Sequence, residues 1–245
     1  PPPGGIAPPD FFSGISQIIA SVVSMSALIE VRNVAKAYKR DSFDVPVLKN
    51  LSLEIPEGEF VALMGPSGSG KTYSAILIAL GLGGKIALID TENRSGDLYA
   101  HLGPYDTCQI AAPFTPDKYI AAIKEAEAAG YDVVIIDSLS HAWAGEGGLL
   151  DMQGKIADSG KGNSYTAWRS VTPKHNALVE AMLQCKSHLI ATMRSKQDYV
   201  QQKDDKTGKT EIKKVGMAPI QRDGMEYEFT VMFDLAIDHT ATTSK

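Results

Sequence analysis

Eight consecutive residues, Gly65-Pro66-Ser67-Gly68-Ser69-Gly70-Lys71-Thr72, satisfy the pattern G-x-x-x-x-G-K-[ST] at every fixed position. The chemistry they could do is polyphosphate binding. Glycines let backbone N–H groups turn inward around phosphate oxygens, and a following helix adds partial positive charge at its N-terminus. Lys71 is placed to reach the β- and γ-phosphates, and the Thr72 hydroxyl to ligate Mg²⁺. A carboxylate follows at Asp137, which ends the apolar run Val133-Val134-Ile135-Ile136. At the tip of a buried strand it would hold Mg²⁺ opposite Thr72, through a water. Asp90-Thr91-Glu92 ends another apolar run, and Glu92 is the candidate general base for an attacking water. Ser138 directly after Asp137 offers no such base. Lys71, Glu92 and Asp137 are therefore the expected catalytic set.

Thr192 and Arg194 end a later strand, where they either sense the γ-phosphate or sit as a polar pair in solvent. His141 and His175 show no metal-ligand spacing. Trp143 and Trp168 read as core or loop-packing residues.

The elements needed to position these groups are legible as alternating signals. Phe60 to Met64 is a strand into the phosphate loop, and Tyr73 to Leu80 a helix leaving it. Gly81-Leu82-Gly83-Gly84 ends that helix, and 85–90 is a buried strand. Thr115, Pro116 and Gly130 punctuate a helix as N-cap, N1 and C′. Residues 133–137 and 188–192 are further strands. A Gly-rich loop is expected from Gly145 to Gly162, then a helical region from Ser164 to Lys186 with a new start at Pro173. Upstream, Leu28-Ile29-Glu30-Val31 and the stretch from Val45 to Ile55 read as strands, and Pro56-Glu57-Gly58 as a turn. Uninterrupted apolar strands alternating with helices predict a mostly parallel sheet covered on both faces.

Bulk properties narrow the partners. With 245 residues, 44% apolar and 22% charged, the chain suits one large α/β domain with an appendage. A net charge of −5 argues against a broad nucleic-acid or membrane surface, so any basic site is local. One such stretch runs from Arg194 to Lys214, with seven basic residues against four acidic and a hairpin tip at Lys206-Thr207-Gly208-Lys209. It reads equally as a phosphate-tracking hairpin or a solvated one. Two cysteines without metal spacing, Cys108 and Cys185, suggest a reducing cytoplasm and small buried apolar roles. No run approaches the ~18 apolar residues of a membrane span. Residues 1–24 lack a basic n-region, which argues against a signal peptide, and read as a read-in or disordered tail.

Two resemblances meet at the phosphate loop. Met25 to Val34, Val47 to Leu53 and Glu57 to Met64 resemble the start of an ABC-transporter ATP-binding subunit of the lipoprotein-release or macrolide-export type. That resemblance implies that Tyr38 stacks on adenine. Residues 65–245 resemble phage-encoded RecA-like ATPases of the AAA family, including recombinases associated with single-strand annealing. The matching text runs through Lys71-Thr72-Tyr73-Ser74-Ala75, Ile89-Asp90-Thr91-Glu92, Ile135 to Trp143, Ala191 to Lys196, Val215 to Pro219 and Gln221 to Phe229.

The second resemblance implies a RecA-like P-loop NTPase fold with an ABC-like β segment ahead of it. The implied divisions are a tail at 1–24, a β segment at 25–58 and an ATPase domain at 59–245. It implies ATP and Mg²⁺ as ligands, nucleotide contacts extending to Tyr73, Glu92 as the catalytic glutamate, and assembly into homo-oligomers. Single-stranded DNA would be the effector, through the Gly145–Gly162 loop and the Arg194–Lys214 hairpin. Arg222 could then serve a neighbouring subunit as an arginine finger. The ABC alternative lacks an L-S-G-G-Q signature, a glutamine loop and a Glu after Asp137. A third alternative is a nucleotide-binding module with little turnover. Strands 27–55, cut off from ABC partners, would form a loose flap with an exposed edge.

Overall fold

The computed structural model describes residues 27–40, 43–56, 60–159, 163–203 and 210–243, with side chains described for 60–159, 163–196 and 217–243. Strands β1 (Ala27–Arg40) and β2 (Phe43–Pro56) pair antiparallel with each other as a separate two-stranded sheet. Of the turn expected at Pro56-Glu57-Gly58, Pro56 ends β2, while Glu57 and Gly58, the hairpin tip at 206–209 and the tail at 1–24 lie outside the described residues.

The remaining strands build one eight-stranded sheet. They are β3 (Phe60–Gly65), β4 (Ile86–Asp90), β5 (Asp106–Gln109), β6 (Val133–Asp137), β7 (His188–Lys203), β8 (Thr210–Pro219), β9 (Val231–Leu235) and β10 (Ala241–Thr243). The order is β10-β9-β3-β7-β6-β4-β5, with β8 paired to β7. Pairs β9-β3, β3-β7, β7-β6, β6-β4 and β4-β5 are parallel, and β10-β9 and β7-β8 are antiparallel.

Helices α1 (Lys71–Leu82), α2 (Pro116–Ala128), α3 (Ser140–Ala144), α4 (Leu149–Asp158) and α5 (Ser164–Leu183), with short 3-10 helices at Ser95–Leu102 and Met225–Glu228, complete the regular structure of the described residues. They cover both faces. Phe60, Ala62 and Met64 of β3 pack with Tyr119, Ile123, Leu178 and Met182 of α2 and α5, while Val61 and Leu63 pack with Ala75, Ile76 and Ala79 of α1. The same alternation divides β4 and β6. Strands buried on both sides need apolar residues at every position, which is why these runs show no polar interruption.

Three local expectations need correction. The Gly-rich stretch expected as a loop is largely α4, because Leu149, Met152 and Ile156 recur at helical spacing and Leu149 is fully buried. No new helix starts at Pro173; α5 runs through it. Its buried stripe of Ala167, Val171, His175, Leu178 and Met182 fixes one continuous helix, and Pro173 and Arg169 are exposed, so water can take the carbonyl that proline leaves unpaired. A capping box between Asn163 and Thr166 secures its start. Cys108, finally, is exposed on β5 rather than buried. Partial burial pushes both thiols up from the usual cysteine value, Cys108 with help from Glu125, which disfavours the thiolate.

His175 sits in the α5 stripe, and neither ring nitrogen has a hydrogen-bond partner among the described residues. Burial first, then the Arg222 guanidinium, pushes its pKa below the ordinary histidine value, so the folded chain carries it neutral. The unfolded chain takes up this proton as pH falls through about 6.5, before the folded chain does, so the His175 contribution to stability is complete above that pH and declines below it. Urea unfolding at about pH 7.5 and about pH 5.5 should show a smaller acid loss in His175→Gln than in the wild type.

Candidate nucleotide site

The phosphate loop spans 66–70 between the end of β3 and the start of α1. Gly68 and Gly70 turn at φ +81° and +90°, a region L side chains rarely adopt. Gly65 closes β3 where a Cβ would stand 2.5 Å from the Leu235 carbonyl oxygen. Ser69 is buried and its hydroxyl has no hydrogen-bond partner among the described residues, while Ser67 and Gly68 face solvent. The Lys71 ammonium folds across the loop and donates to the Pro66 carbonyl at 2.8 Å. Burial pushes its pKa down, Asp137 and Glu92 pull it up, and Arg194 opposes them, so all three charged groups act on one ammonium. Tyr73, on the first turn of α1, is half-buried and meets Tyr99 edge-on at 5.9 Å. Tyr38 lies in β1, and its side chain falls outside the described residues.

Strand β7 separates β3 from β6, so Thr192 comes up between the loop and Asp137. Asp137 is buried and accepts hydrogen bonds from Thr72 Oγ1 at 2.7 Å and from Thr192 Oγ1. Burial pushes its carboxyl up from the ordinary value, and the two hydroxyls offset part of that. Thr192 is thus part of the site and not a solvent-facing strand end.

The site fits Mg²⁺. Thr72 and Asp137 put two hard oxygens within 2.7 Å of each other, and a cation would relieve the buried carboxylate. Among the described residues no group of three or more His, Cys, Asp or Glu could hold a metal. A site here would therefore be completed by phosphate and water oxygens, as Mg²⁺ generally accepts.

Glu92 stands one turn beyond β4. Its amide donates to Asp90 Oδ1 at 2.7 Å, and Gly96 N–H donates to Asp90 Oδ2 at 2.9 Å, so Asp90 shapes the turn. Both Glu92 oxygens accept from Arg194, from Nε at 2.9 Å and from Nη2, in a bidentate pair. His141 Nε2 lies 4.0 Å from Glu92 Oε1, while its Nδ1 is 2.8 Å from Thr91 Oγ1 and its ring stacks on Phe114. Burial pushes the His141 pKa down and Glu92 partly restores it.

Thr91 also accepts from Ser138 N–H at 2.8 Å and donates to the Ser138 carbonyl at 3.1 Å, tying the ends of β4 and β6 together. Sequence reasoning missed Thr91 and passed over His141, because a lone threonine at a strand end and a histidine without metal spacing carry no signal of their own.

Comparisons with known proteins bear on both parts of the chain. A family model described as AAA domain matches residues 57–245. Short matches in the N-terminal region go to ABC ATP-binding proteins. The macrolide export ATP-binding/permease protein MacB of Syntrophobacter fumaroxidans is 56% identical over 45 residues, 18% of this chain and 6% of that protein. The ABC transporter ATP-binding protein YvrO of Bacillus subtilis is 47% identical over 45 residues, 18% of this chain and 20% of its own length. The chain thus spans a fifth or less of each of these two relatives.

Among solved structures, the RadB recombinase aligns at a TM-score of 0.44 with 15% identity, covering 74% of this chain and 75% of that one. An ATPase of a type III secretion system aligns at the same score and identity, covering 75% of this chain and 53% of its own. No helix among the described residues is long and apolar enough to cross a membrane. With a complete phosphate loop feeding α1, a buried aspartate under Thr72, and a match running from 57 to 245, the chain belongs to the AAA domain family of P-loop NTPases.

Proposed function

We propose that this chain is a Mg²⁺-dependent ATPase of the RecA-like type, stimulated by single-stranded DNA and working in recombination as a homo-oligomer. The observation that carries the reading is the 2.7 Å hydrogen bond from Thr72 to the buried Asp137 at the end of the phosphate loop, with the Glu92–Arg194 pair acting on the same Lys71. In this reading the loop amides and Lys71 bind the phosphates, and Thr72 and Asp137 hold Mg²⁺, whose charge would screen the phosphate oxygens from the attacking water. Glu92 accepts that water's proton. Arg194, already paired with Glu92, trades part of that pairing for the γ-phosphate, so the base is freed when the substrate is in place. Tyr38 and Tyr73 belong to the proposed nucleotide contacts, and residues 25–58 to an appended β segment.

Mg²⁺ dependence can be checked directly. Phosphate release should fall to background on chelation with excess EDTA and return on adding Mg²⁺; turnover that persists in EDTA would contradict the Thr72–Asp137 assignment.

One observation favours a second reading, a nucleotide-binding module with little turnover. Both Glu92 oxygens are engaged by Arg194, which would hold the base out of action. Tight binding of a fluorescent ATP analogue without phosphate release would support it.

A further inference from the structure

Away from the phosphate loop, a cavity of about 920 Å³ lies between α3, the first half of α5 and the segment after β8. The two tryptophans expected as core or loop-packing residues stand in its wall. Trp143 and Trp168 stack with ring centroids 5.6 Å apart and planes 19° from parallel, and both are partly exposed. The Arg222 guanidinium lies 5.9 Å from the Trp168 ring centre. Arg169 and Tyr165 also line it, Tyr165 being 83% exposed, and Asp223 is the one carboxylate in the lining.

Stacked, solvent-facing indoles are costly to leave in water and are worth most when a flat aromatic partner covers them. Guanidiniums beside them add anion contacts and can themselves stack on a ring. Flat rings joined by regularly spaced negative charges are the chemistry of single-stranded nucleic acid, whose unpaired bases expose both faces. A duplex hides those faces, and an acidic peptide could meet the guanidiniums but offers the paired indoles no regular run of flat rings.

We propose that this groove binds single-stranded DNA, bases stacking on Trp168 and Trp143 and phosphates meeting Arg169 and Arg222. The proposal deepens the DNA-stimulated reading above by naming where the strand sits, and it differs from the sequence-based expectation. Of the basic stretch expected to track phosphates, Arg194 is committed to Glu92. The groove also reaches the nucleotide site through short links. α3 carries both Trp143 and Ser140, whose hydroxyl accepts from Arg194 N–H at 2.9 Å. Gln221, next to Arg222, donates to the Leu139 carbonyl at 3.1 Å, two residues from Asp137.

The chain has two tryptophans, and both are here, so tryptophan emission excited apart from the nine tyrosines reports the groove alone. Titration with oligo(dT) should quench that emission to saturation, with an affinity that weakens as salt rises. With fluorescein-labelled oligo(dT) followed by anisotropy, Trp168→Ala should weaken binding by about 5- to 150-fold, the span expected for losing one base stack, and Arg222→Ala should weaken it and lessen its dependence on salt. Trp168→Phe should keep most of the affinity, which separates lost stacking from a misfolded chain.

Lys71→Ala should still show the quench, so failure of the ATPase reading and failure of the groove are told apart. Oligo(dT) binding without quenching, or affinity unmoved by both alanine variants, would put the strand elsewhere and overturn the proposal. Emission that changes with protein concentration alone would make the groove a contact between copies of the chain and overturn it equally. Absence of oligo(dT) binding at any salt would do the same.

Discussion

Replacing Lys71 by alanine should lower steady-state ATP turnover by at least about 10²–10³-fold, the cost of removing one preorganised charge from a developing phosphoryl transition state. The side chain is already folded over the loop, donating to Pro66 at 2.8 Å, and it carries the fields of Asp137, Glu92 and Arg194. Its loss therefore removes the hub of the charge arrangement as well as a phosphate contact. Binding of a fluorescent ATP analogue should weaken at the same time. Phosphate-release assays with wild-type rates in Lys71→Ala would mean that hydrolysis in the sample comes from something other than this loop.

The second large effect is expected at Glu92. Glu92→Gln keeps the shape and a hydrogen bond to Arg194 but removes the proton acceptor, and turnover should drop by about 10²–10⁴-fold, the usual worth of a general base. Nucleotide binding should survive, since Glu92 lies beyond β4 and not in the loop. That split distinguishes a base from a structural support. A variant that lost binding and turnover together would point instead to collapse of the Glu92–Arg194 pair and the turn built on Asp90.

The parts of this site legible in the sequence are those where chemistry dictates residue type over a short span. The phosphate loop is one, because its glycines take positive φ that other residues resist. The strands ending in Asp90 and Asp137 are another, because burial on both faces demands unbroken apolar runs. Alternation of such strands with helices made the mostly parallel sheet legible too.

What stayed hidden depends on contacts between residues distant in the chain. Glu92 and Arg194 are 102 positions apart, and nothing local marks them as partners. Trp143 and Trp168 looked like packing residues because composition cannot say which face of α3 and α5 the sheet leaves open. Pro173 misled for the opposite reason: a strong local breaker was overruled by a buried stripe on the far side of its helix. Punctuation around α4 misled in the same way, since Gly145, Gly147 and Gly148 mark the approach to a helix rather than a loop that replaces it.

The most direct test is phosphate release with Mg²⁺, with and without oligo(dT), on the wild type and Glu92→Gln side by side. The account predicts turnover in the wild type that rises with oligo(dT), and near-background rates in Glu92→Gln under both conditions. Nucleotide binding with no release from the wild type in either condition would contradict it and leave a phosphate-binding module whose base stays locked to Arg194.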